Sequence, residues 1–218
     1  MLPWLRAHMP FPPVELALEE PNGLLAASEP QDLSAQRLLM AYQRGIFPWY
    51  SHGQPVLWWS PNPRMVLFVD EFHVSHSLRK RVRQNRFELR INTAFRRVME
   101  HCAEPRRGET GTWITDEMLE AYCGLHTLGY AHSFESWRHG ELVGGLYGVH
   151  IGRMFFGESM FARETDASKV ALVHLVHACQ RANIPMIDCQ QETRHLASFG
   201  ARPIARSDFV ARVMQLVA

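Results

Sequence analysis

The segment 168–182 constrains this chain most, because it offers almost no polar face. Val170, Leu172, Val173, Leu175 and Val176 run around most of a helix, and a helix that is apolar on most sides has to be buried. Three strands are expected just before it: residues 131–138, a turn at His139 and Gly140, then 142–150 and 154–161. Just after it, Pro185 introduces a short central strand, Met186–Gln190. A meander, a buried helix and a further strand returning to the same sheet make an α+β chain.

Upstream, six prolines among the first thirty residues predict irregular but packed chain. A helix follows, capped by Ser34, apolar through Leu38, Leu39 and Tyr42, and ended by Gly45. Pro48 forces Phe47 to be extended and leaves Trp49 in a loop. The strand Val56–Trp59 leads into Ser60-Pro61-Asn62-Pro63-Arg64, where two prolines in three residues make the best boundary, between 1–62 and 63–218. Beyond it come a strand at 65–69, a basic helix from about Ser75, a strand at 87–91 and a helix at 94–102. A polar loop at 104–110 with Arg106 and Arg107 follows. Thr115 then caps a helix with Met118, Leu119, Tyr122, Leu125 and His126 on its inner face, closed by Gly129.

Composition removes several classes of function. With 46% hydrophobic and 21% charged residues, the 218-residue chain is not a disordered one. A net charge of +1 means that any nucleic-acid contact must be local. No apolar run approaches the ~20 residues of a membrane helix, and the start lacks a secretory layout. The four cysteines form no Cys-x-x-Cys pair, which predicts free thiols in a reducing cytosol. Only His73/His76 and His174/His177 are closely spaced, so no metal site is expected.

Four features carry chemistry. Side chains alternate along a strand, so Met186, Asp188 and Gln190 are expected on one face and Ile187 and Cys189 on the other. An Asp and a Gln on an otherwise apolar strand must hydrogen-bond to each other or to a ligand. Apolar surroundings would also make Asp188 a better proton acceptor. Glu158 and Met160 are expected to share a face of 154–161, a combination suited to an ammonium group beside an apolar side chain; a Glu at a strand end is otherwise solvated. Five Lys/Arg fall within 79–86. Val74, Leu78 and Val82 form that helix's buried stripe, with His76, Lys80 and Arg83 opposite, Arg79 and Arg86 flanking them, and Arg81 near the buried edge. Such a face is either solvated or tracks phosphates. Finally, Trp49 and Trp113 are either core plugs or platforms for an unpaired base, worth ~1–3 kcal/mol per base.

The most specific sequence blocks are Tyr42-Gln43-Arg44-Gly45-Ile46-Phe47-Pro48-Trp49, Trp58-Trp59-Ser60-Pro61, Gly111-Thr112-Trp113-Ile114, Gly144-Gly145-Leu146-Tyr147-Gly148-Val149, Gly157-Glu158-Ser159-Met160-Phe161, Ala167-Ser168-Lys169 and Ile187-Asp188-Cys189-Gln190. In this order, and over nearly the whole chain from Pro21, they resemble the leucyl/phenylalanyl-tRNA–protein transferase family. The chain departs from the family's usual residues at Ser28-Glu29-Pro30-Gln31, Asn62, His76 and Gln84.

The resemblance implies a small N-terminal domain (1–62) joined to a GNAT-like (acetyltransferase-like) catalytic domain (63–218), with a mixed, mainly antiparallel sheet flanked by helices. It implies a cytoplasmic aminoacyltransferase that moves Leu or Phe, and Met less well, from aminoacyl-tRNA to the N-terminal Arg or Lys of a protein, marking it for N-degron-dependent degradation. Trp49 and Trp113 match residues that hold the 3′-terminal adenosine. Leu146, Phe155, Met160, Leu172, Leu175 and Ile187 match the apolar pocket, and Asp188, Gln190 and Glu158 the polar groups at the reacting centre. His76, Arg79, Lys80, Arg83 and Arg86 are the candidates for tRNA phosphates. Asp188, positioned through Gln190, is expected to polarise or deprotonate the acceptor amine, and Glu158 to hold the donor's α-amino group. Because the ester supplies the driving force, no cofactor or metal is expected; nor is a membrane, and a monomer is the expected state. Two rivals stay open: an acetyl-CoA-dependent N-acetyltransferase and a non-catalytic RNA-binding module.

Overall fold

The computed structural model describes residues 1–105 and 112–218. The loop expected at 104–110 therefore lies almost wholly outside the described residues, as do Arg106, Arg107 and Gly111.

The proline-rich start is less irregular than expected, since it supplies β1 (Trp4–Leu5) and β2 (Leu24–Ser28). Pro21 and Pro30 bracket β2 rather than interrupt it, and its residues from Leu25 to Ser28 are buried. The helix α1 (Ala35–Tyr42) begins as expected, with Ser34 Oγ accepting the Arg37 N–H at 3.2 Å. Gly45, at φ 73°, turns the chain away after it. After the short β3 (Phe47–Pro48), the strand β4 (Val56–Trp59) pairs antiparallel with β2 and β3. The result is a four-stranded sheet in the order β1-β2-β4-β3.

The rest of the chain builds a larger sheet. In order come β5 (Arg64–Phe68), α2 (His76–Arg83), β6 (Glu88–Ile91), α3 (Phe95–Ala103), α4 (Asp116–Thr127), β7 (Ala131–Arg138), β8 (Glu141–Ile151), β9 (Met154–Ala162), α5 (Ala167–Arg181) and β10 (Met186–Gln190). All of these fall within about a residue of the expected bounds. Three further elements were not foreseen: α6 (Arg194–Ala197), β11 (Arg202–Ile204) and α7 (Arg206–Leu216). Phe209 and Val213 sink α7 into the core, and Asn62 Oδ1 accepts the Arg206 N–H at its start, at 3.0 Å.

The strand order is β11-β5-β10-β9-β8-β7-β6, and among its described ladders only β9/β10 is parallel. The sheet is thus mixed and mainly antiparallel. Helix α5 lies on one face over Phe134, Leu146, Phe155 and Ile187. The other face packs against α1, α3, α4 and the N-terminal sheet, in a cluster that includes Trp58, Met118, Tyr147, Phe156 and Met186. β10 therefore sends Met186 into one core and Ile187 into the other, as a central strand must.

Candidate active site

The parallel pairing of β10 with β9 runs over Met186–Asp188 against Met154–Phe156, while β9 continues to Ala162. Where the two strands part, a cavity of about 690 Å³ opens. Leu146, Met160, Leu172, Leu175 and Ile187 form its apolar wall, with Trp49 and Trp113 on the same rim as Phe47 and Pro48. Glu158, Asp188 and Gln190 line it too. Of the residues expected here, Phe155 is not on the wall. It lies one layer behind, its ring against Phe134 (centroids 6.0 Å apart) and over the space where Gly148 lacks a side chain.

The polar residues form one connected chain. Asp188 is fully buried, and its partner is Arg64 on the adjacent strand β5, not the Gln190 side chain. Arg64 Nε and Nη2 donate to the two carboxylate oxygens at 2.8 and 2.7 Å, a bidentate, charge-assisted pairing. The guanidinium is stacked between Phe47 and Phe209, 4.5 and 4.6 Å from the ring centroids. Both side chains of the pair have no exposed surface. Both carboxylate oxygens are thus engaged by the neighbouring strand. Asp188 Oδ1 also accepts the backbone N–H of Gln190 at 2.9 Å, which stabilises Gln190 in the left-handed region, at φ 62°. From there the Gln190 amide Nε2 donates to Glu158 Oε1 at 2.8 Å.

Glu158 closes the chain. Tyr42 donates to its Oε1 at 2.6 Å and Tyr122 to its Oε2 at 3.1 Å, and the two tyrosine hydroxyls also hydrogen-bond to each other. Burial pushes the Glu158 carboxyl up to about 8, against the pull of the tyrosine hydrogen bonds. The expectation that Glu158 and Met160 share a face fails. Pairing with β8 slips between Tyr147–Ser159 and Gly148–Gly157, leaving an extra residue on β9. This bulge reverses the alternation. Glu158 consequently faces α1 and α4, while Met160 packs towards α5.

Sequence reasoning missed Arg64, Tyr42 and Tyr122 as members of the site. A signal for Arg64 existed, because a buried Asp on a central strand requires a cation from a neighbouring strand. Tyr42 and Tyr122 were read as apolar stripe residues, which their rings are; their hydroxyls gave no separate signal.

The basic helix α2 presents the surface expected of it. Leu78 is buried, Val74 and Val82 pack beside it, and His76, Arg79, Lys80 and Arg83 are exposed; Arg86 is exposed too but lies beyond the helix, which ends at Arg83. Arg81, at the edge, pairs with Asp166 at 3.3 Å, which ties α2 to the start of α5 and so to the rim of the cavity near Ser168. Trp49 is 40% exposed, enough of a face for stacking, and its carbonyl accepts the Trp59 Nε1–H at 2.7 Å.

A family model described as leucyl/phenylalanyl-tRNA protein transferase matches residues 66–214, and one described as the N-terminal domain of that protein matches residues 31–62. The leucyl/phenylalanyl-tRNA–protein transferase of Chromobacterium violaceum is 59% identical over 217 residues, covering 100% of this chain and 92% of that protein. Its counterpart from Janthinobacterium sp. is 56% identical over 229 residues, with 100% and 93% covered. Among solved structures, a GCN5-related N-acetyltransferase-like protein from Streptococcus suis aligns with 75% of this chain and 61% of its own, at 17% identity and a TM-score of 0.39. The chain belongs to the leucyl/phenylalanyl-tRNA–protein transferase family.

Proposed function

We propose that this protein moves Leu or Phe, and Met less well, from aminoacyl-tRNA to the N-terminal Arg or Lys of an acceptor protein, and that the product is marked for N-degron-dependent degradation. The observation that carries this reading is the juxtaposition in one cavity of an apolar wall and the Gln190–Glu158 amide–carboxyl pair. The relatives at 56% and 59% identity support it. In this reading Leu146, Met160, Leu172, Leu175 and Ile187 hold the donor side chain, Trp49 and Trp113 stack the terminal adenosine, and Glu158 takes the donor's α-amino group. The phosphates of the acceptor stem lie along His76, Arg79, Lys80, Arg83 and Arg86. The division into 1–62 and 63–218 is kept as a proposal, supported by the first sheet's ending at Trp59.

The acceptor's α-ammonium has a reference pKa of ~7.7–8.0 and must lose a proton before attack. With its Nε2 committed to Glu158, Gln190 has its amide oxygen left to accept a hydrogen bond from the incoming amine. Asp188 contributes by fixing the Gln190 backbone. The new C–N bond forms at the ester carbonyl, the C–O bond to the ribose breaks, and the leaving oxygen recovers a proton through the neighbouring hydroxyl or solvent. Positioning supplies most of the rate, because ester and amine are intrinsically reactive.

Transfer assays with Leu-, Phe- and Val-charged tRNA and with Arg- and Ala-starting peptides test the proposal. Leu and Phe are expected to transfer to the Arg peptide, with Val disfavoured about 10–200-fold; no transfer to the Arg peptide refutes it. Reversing charge at Lys80 and Arg83 together is expected to weaken tRNA binding and flatten its log–log salt slope by about 0.7–0.9 per lost contact. An unchanged slope in a salt titration rejects the phosphate role. The acetyl-CoA rival is disfavoured by Asp166, whose carboxylate occupies the turn before α5 and pairs with Arg81 and Lys169. Calorimetry with acetyl-CoA is expected to show no binding.

A further inference from the structure

We propose that Glu158 is a neutral carboxylic acid in the free protein, closed into a hydrogen-bonded ring with Tyr42 and Tyr122, and that the donor's α-ammonium expels the ring's proton when it docks. The second half rests on the assignment of Glu158 to the donor amine made above; the first half stands on the geometry alone.

The argument is a count of protons. Three oxygen–oxygen hydrogen bonds close the ring: Tyr42 to Glu158 Oε1, Tyr122 to Glu158 Oε2, and Tyr42 to Tyr122. Two phenols carry only two protons. With an ionised carboxylate, both are drawn to Glu158 and the tyrosine oxygens touch with no hydrogen between them. A third proton on the carboxyl removes the conflict. Glu158 Oε2–H then donates to Tyr122, Tyr122 donates to Tyr42, and Tyr42 donates to Oε1, where Gln190 Nε2 donates as well. Every contact is satisfied, as buried polar groups require.

Charge balance points the same way. The described residues lining the cavity include no Lys or Arg. Arg64 lies close behind but is spent on Asp188. The groups facing Glu158 are Tyr42 from α1, Tyr122 from α4, Tyr147 from β8, Asp188 and Gln190 from β10, and Arg64 from β5. None is an uncommitted cation, so an ionised Glu158 would be a half-buried anion with no cation of its own. Burial pushes its carboxyl up to about 8 and keeps both phenols well above their usual range, so all three protons stay in place at neutral pH. Tyr42 and Tyr122 are thus positioning residues, and through Tyr42 the N-terminal helix α1 sets the charge state of the site.

Docking then exchanges one positive partner for another. The carboxyl O–H bond breaks, its electron pair stays on Oε2, the proton leaves to the buffer, and the donor's –NH3⁺ pairs with the carboxylate.

Infrared spectroscopy and calorimetry test the two halves separately. The free protein is expected to show a carboxylic-acid carbonyl band that is absent from Glu158→Gln and is lost as the pH rises through about 8. Isotope-labelled glutamate shifts the band in the wild-type protein, so the assignment does not depend on the variant's folding. Calorimetry in buffers of different ionisation enthalpy, with an amide-linked leucyl-adenosine as probe, is expected to show release of about one proton per donor at mildly acidic pH, falling to zero near pH 8 and turning to uptake above it, where the free amine has itself lost its proton. A carboxylate at neutral pH overturns the ring. An acid band without proton release overturns the pairing of Glu158 with the donor amine.

Discussion

Arg64→Met is expected to lower the unfolding free energy by about 3–5 kcal/mol at neutral pH and to abolish turnover. The substitution keeps an unbranched stem between Phe47 and Phe209, so packing changes little, while both charge-assisted hydrogen bonds to Asp188 disappear. What remains is a carboxylate with no exposed surface whose one recorded partner among the described residues is the Gln190 N–H. The penalty of that lone charge, more than the loss of the pair's own attraction, sets the magnitude. A double variant, Arg64→Met with Asp188→Leu, is therefore expected to recover most of the stability, because an apolar pair of similar volume carries no desolvation cost. It should not recover activity, since the Gln190 backbone loses its acceptor and leaves the left-handed conformation. Urea unfolding of the parent and three variants measures the coupling. A single Arg64→Met variant that unfolds at the parent's midpoint would show that the ion pair is not what holds β5 and β10 together at the site.

The parts of this fold that were legible in the sequence are those whose signal is local. The apolar helix α5, the meander β7–β9, the caps Ser34 and Thr115 and the start of the basic helix near Ser75 declare themselves within a few residues of chain. Each cap was found with its Oγ accepting a hydrogen bond from the first turn of its helix. What escaped was decided at long range or by a break in periodicity. Arg64 and Asp188 are 124 positions apart and meet only because β5 and β10 are neighbours in the sheet. Strict alternation along β9 placed Glu158 beside Met160. One extra residue in the ladder with β8 separated them, and no side chain announces such a bulge. Helix α7 buries only Phe209 and Val213, too little periodicity to stand out from a loop. The cavity's wall was legible through the family resemblance except at Phe155, where the ring fills the gap over Gly148 instead of facing the donor.

Gln190→Ala is expected to reduce the single-turnover transfer rate by about 10²–10³ while leaving donor affinity and stability almost unchanged. The reasoning separates the two ends of the amide. Its Nε2 is only one of three hydrogen-bond partners of Glu158, alongside Tyr42 and Tyr122, so the carboxyl keeps its place when the amide is removed. The apolar wall and the tryptophans that would bind the donor are untouched. The amide oxygen, by contrast, is the end of Gln190 that Nε2 leaves free beside Glu158, and alanine removes it. Asp188 does not replace it, because both its oxygens are occupied by Arg64. The loss should therefore appear in the chemical step and not in binding, and the backbone at position 190 should hold, because its N–H still donates to Asp188. Asp188→Asn makes the contrasting comparison. It weakens the anchor itself, so rate and unfolding midpoint are expected to fall together. A Gln190→Ala variant whose single-turnover rate matches the parent's would remove the amide from the reaction and leave positioning by the cavity alone as the source of catalysis.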